Sequence, residues 1–403
     1  MTATNYAPED YWPQAQWARA IKRSALQEML GLTANGDIIS FALGLPALEF
    51  FPKHAFAQAV AEVLANDPRA MQYGPPPRCL KQHVVGLMRQ RGVACKEDQV
   101  FLTTGAQQGM QLLVRLLLDP GGAILTEEVA YPGFQQIVEP YQPKIFTVPT
   151  DPKTGIDVDA VESLVAGGVR PSFIYAISDG HNPMGSSLSV EKRERLVQLA
   201  MKHRTPIIED DAYGFISFDG AAAPPMRALD DRHVLYVGSF SKILAPSLRI
   251  GWILAPEAIL GKLSIIKEAS DIDTATFSQR AVSAFLNAND IAPHLALLGS
   301  EYKRRRDCMT AALNRHFPGE ARWEQPNSGF FIWVELPERI NATNLLKAAI
   351  EREKVSFIPG QAFHVGGNDY ASNCLRLNFS NSEPNLIEEG ISRLGRLIKT
   401  SLA

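Results

Sequence analysis

The chain is 403 residues long, 46% hydrophobic and 21% charged, with a formal charge of −3. A chain of that length buries about three-quarters of its surface and makes about two to three domains, and its composition excludes disordered, collagen-like and coiled-coil classes. The slightly negative charge argues against nucleic acid or an anionic membrane as a main partner. Cys79, Cys95, Cys308 and Cys374 are widely spaced with no C-x-x-C, so neither a metal site nor a disulfide framework is expected. The start, MTATNYAPED, lacks the basic and apolar regions of a secretory signal. The leucine-rich run at 112–125 is broken by Arg115, Asp119 and Pro120, too short for a membrane span. A cytoplasmic protein is expected.

In chain order, residues 18–30 place Ile21, Ala25, Leu26, Met29 and Leu30 on one helical stripe closed by Gly31. Residues 54–65 predict a second helix burying Phe56, Ala59, Val60, Val63 and Leu64, ended by Asn66-Asp67-Pro68. After residue 98, short β-rich runs follow at 100–104, 123–127, 145–148, 172–178, 206–209, 233–238 and 249–254. Helical stretches such as 106–118 and 189–203 alternate with them. Strands apolar on both faces belong to a mostly parallel sheet with helices on both sides. From about 290 come amphipathic helices with strands at 330–336 and 374–380, a smaller α+β unit. The expected division is an N-terminal arm over 1–50, a large domain over 51–290 and a small domain over 291–403, with a cleft between the two domains.

Four segments carry chemistry. SFSKILAPSLRIGW (239–252) follows a strand and sets Lys242 between Phe240 and Ile243. A lysine in apolar surroundings has a lowered pKa and serves as a nucleophile or Schiff base, although a lysine after a strand is by itself more often a solvated charge. Ser239, Ser241 and Arg249 are suited to a phosphate. PIIEDDAYGF (206–215) ends a strand in acids, where open sheets bind ligands. SDGHNPMG (178–185) follows another strand and on its own is a turn signal. VFLTTGAQQGM (100–110) turns at Gly105 into a helix whose first N–H groups, at Ala106 and Gln107, form an anion site.

Together they suit one cofactor, pyridoxal phosphate. A lysine takes it covalently, an acid holds the pyridine nitrogen protonated, and hydroxyls, amides and an arginine hold the phosphate. On these segments the chain resembles a fold-type I pyridoxal-phosphate enzyme of the class I/II aminotransferases, closest in pattern to the aminoadipate/kynurenine and aromatic aminotransferase subgroup. The resemblance runs from ISFALGLPALEFFP (39–52) to CLRLNFS (374–380). It implies an α/β fold with a large domain around a mostly parallel sheet, and a smaller α+β domain.

The resemblance also implies roles. Lys242 would bind the cofactor and shuttle the proton, and Asp210, rather than Asp211, would pair with the pyridinium nitrogen. Asn182 and Tyr213 would bond the ring oxygen, Asn182 also bordering the substrate. Tyr131 would stack on the ring. Ala106, Gln107, Ser239, Ser241 and Arg249 would hold the phosphate, joined by Tyr73 from a second subunit, so a homodimer with shared sites is implied. Arg376 would clamp the substrate α-carboxylate, with Asn378 and Ser380 facing the cleft beside it. Gly44 would let backbone approach the substrate.

The implied reaction is ping-pong exchange of an amino group between an L-amino acid and a 2-oxo acid, in amino-acid metabolism and biosynthesis. Leu43, Ala106, Ser178-Asp179-Gly180, Pro76-Pro77-Arg78 and Met184 depart from the family pattern, most of them expected near the substrate. Elimination, replacement, cyclisation or oxidation on the same cofactor is therefore the alternative, and a ligand-sensing regulatory domain a remote one. Arg23 is a candidate for a distal carboxylate, and Tyr6, Tyr11 and Trp12 for covering the site.

Overall fold

A computed structural model describes residues 12–20, 37–220, 222–366 and 371–402. Tyr6, Tyr11, Arg23 and the expected stripe beyond residue 20 lie outside the described residues. The main sheet has seven strands. They are β1 (Val100–Thr103), β2 (Ala123–Glu127), β3 (Lys144–Val148), β4 (Ile174–Ile177), β5 (Ile207–Asp210), β6 (Val234–Ser239) and β7 (Gly251–Leu254). Their order is β1-β7-β6-β5-β4-β2-β3, with β7 antiparallel to both neighbours and the other pairs parallel. All seven coincide with the β-rich runs of the sequence.

Inner strands β4 to β7 are buried along their whole length because helices cover both faces, whereas edge strand β3 exposes Lys144 and Ile145. Helices α1 (Lys53–Asn66), α2 (Arg78–Gln90), α3 (Gly105–Leu117), α4 (Pro132–Val138), α5 (Val158–Ala166), α6 (Val190–His203) and α7 (Glu257–Asp271) surround the sheet. One face packs Leu113 of α3 and Phe134 of α4 against Tyr175, Leu235 and Ile253. The other packs Val161 of α5 and Leu196 of α6 against Ile174, Ile207 and Val234. Helices α5 and α6 start where Asp157 and Ser189 accept the N–H of Ala160 and Lys192. In α1 the expected stripe is narrower than the spacing suggests. Ala59 and Val63 are buried, but Leu64 is 52% exposed, since a 3.6-residue period carries it round to the outer side.

Helices α8 (Thr276–Ala288) and α9 (Ala292–His316) lead to a four-stranded antiparallel sheet. It contains β8 (Arg322–Trp323), β9 (Phe331–Glu335), β10 (Ile358–Pro359) and β11 (Cys374–Asn378), in the order β8-β9-β11-β10. Helices α10 (Ala342–Ala348) and α11 (Pro384–Leu402) complete this part. Residues 39 and 40 pair in parallel with 355 and 356, and the N–H of Asn378 donates to the carbonyl of Phe41. The segment 41–45 is thereby laid along the smaller sheet and leads into the cavity.

A buried ionic cluster ties the ends of the central strands to helices. Asp179 accepts from Arg91 at 2.9 Å and from Arg193 at 2.8 Å, and Asp211 accepts from Arg91 at 3.0 Å. The unusual Asp179 of the turn after β4 is thus a structural counter-ion. Its replacement by alanine takes the carboxylate partner from buried Arg193 and leaves Arg91 with Asp211 alone. Asp179→Ala is expected to lower the unfolding free energy by about 3–5 kcal/mol, measured by denaturant titration.

Candidate active site

A cavity of about 1140 Å³ opens at the carboxyl ends of β4, β5 and β6. Strand β7 runs the other way, with Gly251 paired to both Ser239 and Thr103, so Arg249 just before β7 arrives at the same end. That edge of an open α/β sheet is where such folds bind ligands. Ala106, Gln107, Tyr131, Asn182, Asp210, Tyr213, Ser239, Ser241, Lys242, Arg249, Arg376 and Gly44 all border the cavity. Tyr73 does not; it is 75% exposed on the surface.

Lys242 sits in the turn after β6, held by the Leu244 N–H bond to the Phe240 carbonyl. Its Nζ donates to the carbonyl of Gly44 at 2.8 Å and lies about 6 Å from the rings of Tyr213 and Phe330. Burial, with Arg376 and Arg249 adding like charge, lowers its pKa to about 8. Gly44 is required where it stands, because a Cβ there would meet the Phe331 ring at 2.7 Å.

The consecutive acids Asp210 and Asp211, at the end of β5 and just after it, separate cleanly. Asp211 is saturated: its Oδ2 accepts from Arg91 and Tyr236 and its Oδ1 from the Gly214 N–H. Asp210 points into the cavity, where Oδ2 accepts from Tyr175 at 2.8 Å and Oδ1 is buried without a partner. Burial raises the Asp210 carboxyl to about 6. An unpaired carboxylate oxygen in such a place calls for a cationic N–H.

Arg376 projects from β11, with its guanidinium 4.2 Å from the Phe331 ring centre and 4.8 Å from that of Phe363. It donates to Asn182 Oδ1 at 2.6 Å and to the Ala42 carbonyl, while Nε has no partner. Burial lowers its pKa to about 10. Since guanidinium only donates, Asn182 turns its oxygen to Arg376 and has its NH₂ left for another acceptor. Asn378 and Ser380 do not share this placement, contrary to the alternation expected along 374–380. Both are fully buried, and Ser380 Oγ donates to the Leu45 carbonyl, so they fasten the segment that carries Gly44.

The first turn of α3 has no side-chain cap, which leaves the N–H groups of Ala106 and Gln107 available. Arg249, itself at φ +54°, donates to the Thr104 carbonyl at 3.1 Å beside them. Gly105 has φ +79°, and a Cβ on it would lie 2.6 Å from the Arg249 guanidinium. Ser239 Oγ accepts from the Ser241 N–H at 3.0 Å. Tyr131 caps α4, and its phenol is raised by burial and by the nearby Asp210 charge. Burial raises that of Tyr213 strongly.

This set fits pyridoxal phosphate. It combines an amine of depressed pKa, an unpartnered carboxylate oxygen, and N–H, hydroxyl and guanidinium groups at one helix start. Of the departures from the family pattern, Leu43 and Ala106 border the cavity and the others do not. Pro76 and Arg78 line a separate surface depression with Lys81 and Glu97, and Met184 is buried in the core. Within one chain, the expected gathering of departures at the cavity thus holds for Leu43 and Ala106 alone. Sequence reasoning missed Phe331, Phe363 and Trp17 in the cavity wall. The first belongs to the apolar strand FFIWVEL; the other two carry no pattern of their own.

Residues 37–394 match the family model for aminotransferase class I and II. The chain is 35% identical to the 2-aminoadipate transaminase of Thermus thermophilus, over 97% of this chain and 98% of that protein. It is 34% identical to aromatic-amino-acid aminotransferase 1 of Thermococcus litoralis, over 96% of this chain and 94% of that one. The crystal structure of the alpha-aminoadipate aminotransferase from Thermus thermophilus, complexed with N-(5′-phosphopyridoxyl)-L-leucine, superposes with a TM-score of 0.89 at 34% identity. It covers 96% of this chain and 98% of that one. The chain belongs to the class I and II aminotransferases, pyridoxal-phosphate enzymes of fold-type I that transfer amino groups between amino acids and 2-oxo acids.

Proposed function

We propose that the protein works by a ping-pong cycle in which Lys242, Asp210 and Arg376 act on an L-amino acid and then on a 2-oxo acid. The observation that carries this reading is the pairing, across one cavity, of a lysine amine with pKa lowered to about 8 and a buried carboxylate oxygen without a partner. Pyridoxal phosphate, when bound, supplies the carbon that takes the amino group and a ring that accepts the electrons left at Cα. Asp210 keeps a proton on the ring nitrogen. Lys242 Nζ takes the Cα proton and returns it as a general acid, a contribution typically of about 10²–10⁴-fold. Arg376 orients the α-carboxylate with its fork, which lies close to the rings of Phe331 and Phe363.

Asn182 and Tyr213 serve the ring oxygen, and Tyr131 the ring face. The phosphate is held by the Ala106 and Gln107 amides, Ser239, Ser241 and Arg249. Tyr73, exposed and outside its own cavity, serves the phosphate of a second subunit in a homodimer. Beyond the cofactor the wall includes Trp17, Leu43, Ile145, Phe363 and Val365, which suits a large apolar substrate side chain. A cytoplasmic place in amino-acid biosynthesis accords with this chemistry; among the described residues no helix is long and apolar enough to cross a membrane.

Three outcomes test the reading. Cofactor-loaded protein given an amino acid alone yields one equivalent of 2-oxo acid per site and stops, resuming when a second 2-oxo acid is added; ammonia release would point to elimination instead. The cofactor-free protein captures pyridoxal phosphate covalently at a rate that rises as pH passes about 8, because only the neutral Lys242 amine attacks, and Lys242→Ala abolishes the capture. Arg376→Lys keeps the charge but loses the fork, and lowers kcat/KM for the amino acid by roughly 10²-fold, mainly through KM.

A further inference from the structure

Among the described residues, the Asp210 carboxylate is oriented by a single hydrogen-bonded group, and that group is neutral. Tyr175, on β4, is 1% exposed and donates its hydroxyl to Asp210 Oδ2 at 2.8 Å. Its neighbour in sequence, Ile174, faces the opposite core, so Tyr175 stands on the α3–α4 side of the sheet. There its ring lies flat on Phe134, centres 3.7 Å apart and planes 3° apart. Phe134 belongs to α4, one turn from Tyr131, and its N–H donates to the Tyr131 carbonyl at 3.0 Å. One short helix therefore supports both the residue at the cofactor's face and, through Tyr175, the residue at its nitrogen.

The contrast with Asp211 gives this arrangement its meaning. Asp211 is paired with the Arg91 guanidinium, so its charge is spent inside the protein. Among its described partners, Asp210 has the phenol alone: His181, close enough to act on it electrostatically, is bonded to Glu127 at 3.0 Å instead. A phenol fixes a carboxylate's direction and favours its ionised form without cancelling its charge, whereas a buried cation would cancel it. A phenylalanine would pack on Phe134 as well and would bury no hydroxyl, so packing alone does not account for a tyrosine here.

We propose that Tyr175 is a positioning residue for the cofactor: its hydroxyl holds Asp210 ionised and aimed, so that the free oxygen Oδ1 meets the pyridinium N–H at full charge. The proposal rests on the assignment of Asp210 to the ring nitrogen, and the test separates the two. Enzyme stripped of cofactor is titrated with pyridoxal phosphate and with its carba analogue, in which CH replaces the ring nitrogen, following binding by equilibrium dialysis and by the visible absorbance of the bound ligand. Tyr175→Phe is expected to weaken pyridoxal phosphate roughly tenfold, the scale of one hydrogen bond to a charged group, and to leave the carba analogue unchanged. Asp210→Asn, run alongside, shows the same selectivity more strongly.

Equal losses for both ligands, or no loss, in Tyr175→Phe overturn the positioning role while the Asp210 assignment stands. An Asp210→Asn protein without selectivity sinks both. If Tyr175→Phe does not fold, Phe134→Leu keeps the hydroxyl but removes the flat surface that aims it. A selective but smaller loss of pyridoxal phosphate then supports the proposal, and an unselective loss or none overturns it.

Discussion

Three cationic side chains, Lys242, Arg249 and Arg376, share one cavity with a single buried carboxylate, Asp210. Such crowding is unfavourable in the absence of anions. The lowered pKa of Lys242 expresses that imbalance in part, with burial its largest cause and the neighbouring guanidinium groups the next; that of Arg376 is lowered by burial. On the proposed roles, a phosphate beside Arg249 and a substrate carboxylate beside Arg376 would relieve it, and the same excess of positive charge would favour a ligand with two anionic ends.

The backbone had to be unusual to hold these charges so close. Gly105 and Gly251 approach each other so tightly that a Cβ on Gly251 would lie 2.6 Å from the Gly105 carbonyl carbon. This approach brings the start of α3 beside the start of β7, which pairs with the end of β6. Arg249 accepts a left-handed conformation, unfavourable for a residue with a Cβ, and in return reaches the Thr104 carbonyl beside the free N–H groups. Behind the site the charges balance: Asp179, Asp211, Arg91 and Arg193 neutralise one another in the interior. The strand ends are thereby rigid, and Asp210 is left as the acid whose charge faces outward into the cavity.

Much of this was legible in the sequence because local rules and global fold agree there. Strands buried on both faces read as apolar runs, and all seven strands of the main sheet were found that way. The chemistry-bearing residues of the large sheet follow strands directly, so order in the chain is enough to bring them together. The failures are of another kind. Leu64 falls at the outer edge of its helical stripe and meets solvent, while Asn378 and Ser380 are covered by the 41–45 segment, which local periodicity does not reveal. The importance of Tyr175 was invisible because a tyrosine in a buried strand looks like core until its hydroxyl is seen to meet Asp210.

The departures from the family pattern illustrate the same distinction. Asp179 looked like a change near the substrate, yet it is paired to Arg91 and Arg193 behind the cavity, so it bears on stability. Ala106 removes a hydroxyl at the start of α3, but the N–H it offers the cavity belongs to the backbone, and any residue except proline supplies it. Leu43 alone changes the chemistry of the wall, placing an apolar side chain beside Gly44, whose carbonyl receives Lys242. The departures thus leave Lys242, Asp210, Asn182, Tyr213, Arg249 and Arg376 untouched, and the one beside the carbonyl that receives Lys242 puts an aliphatic side chain in the cavity wall.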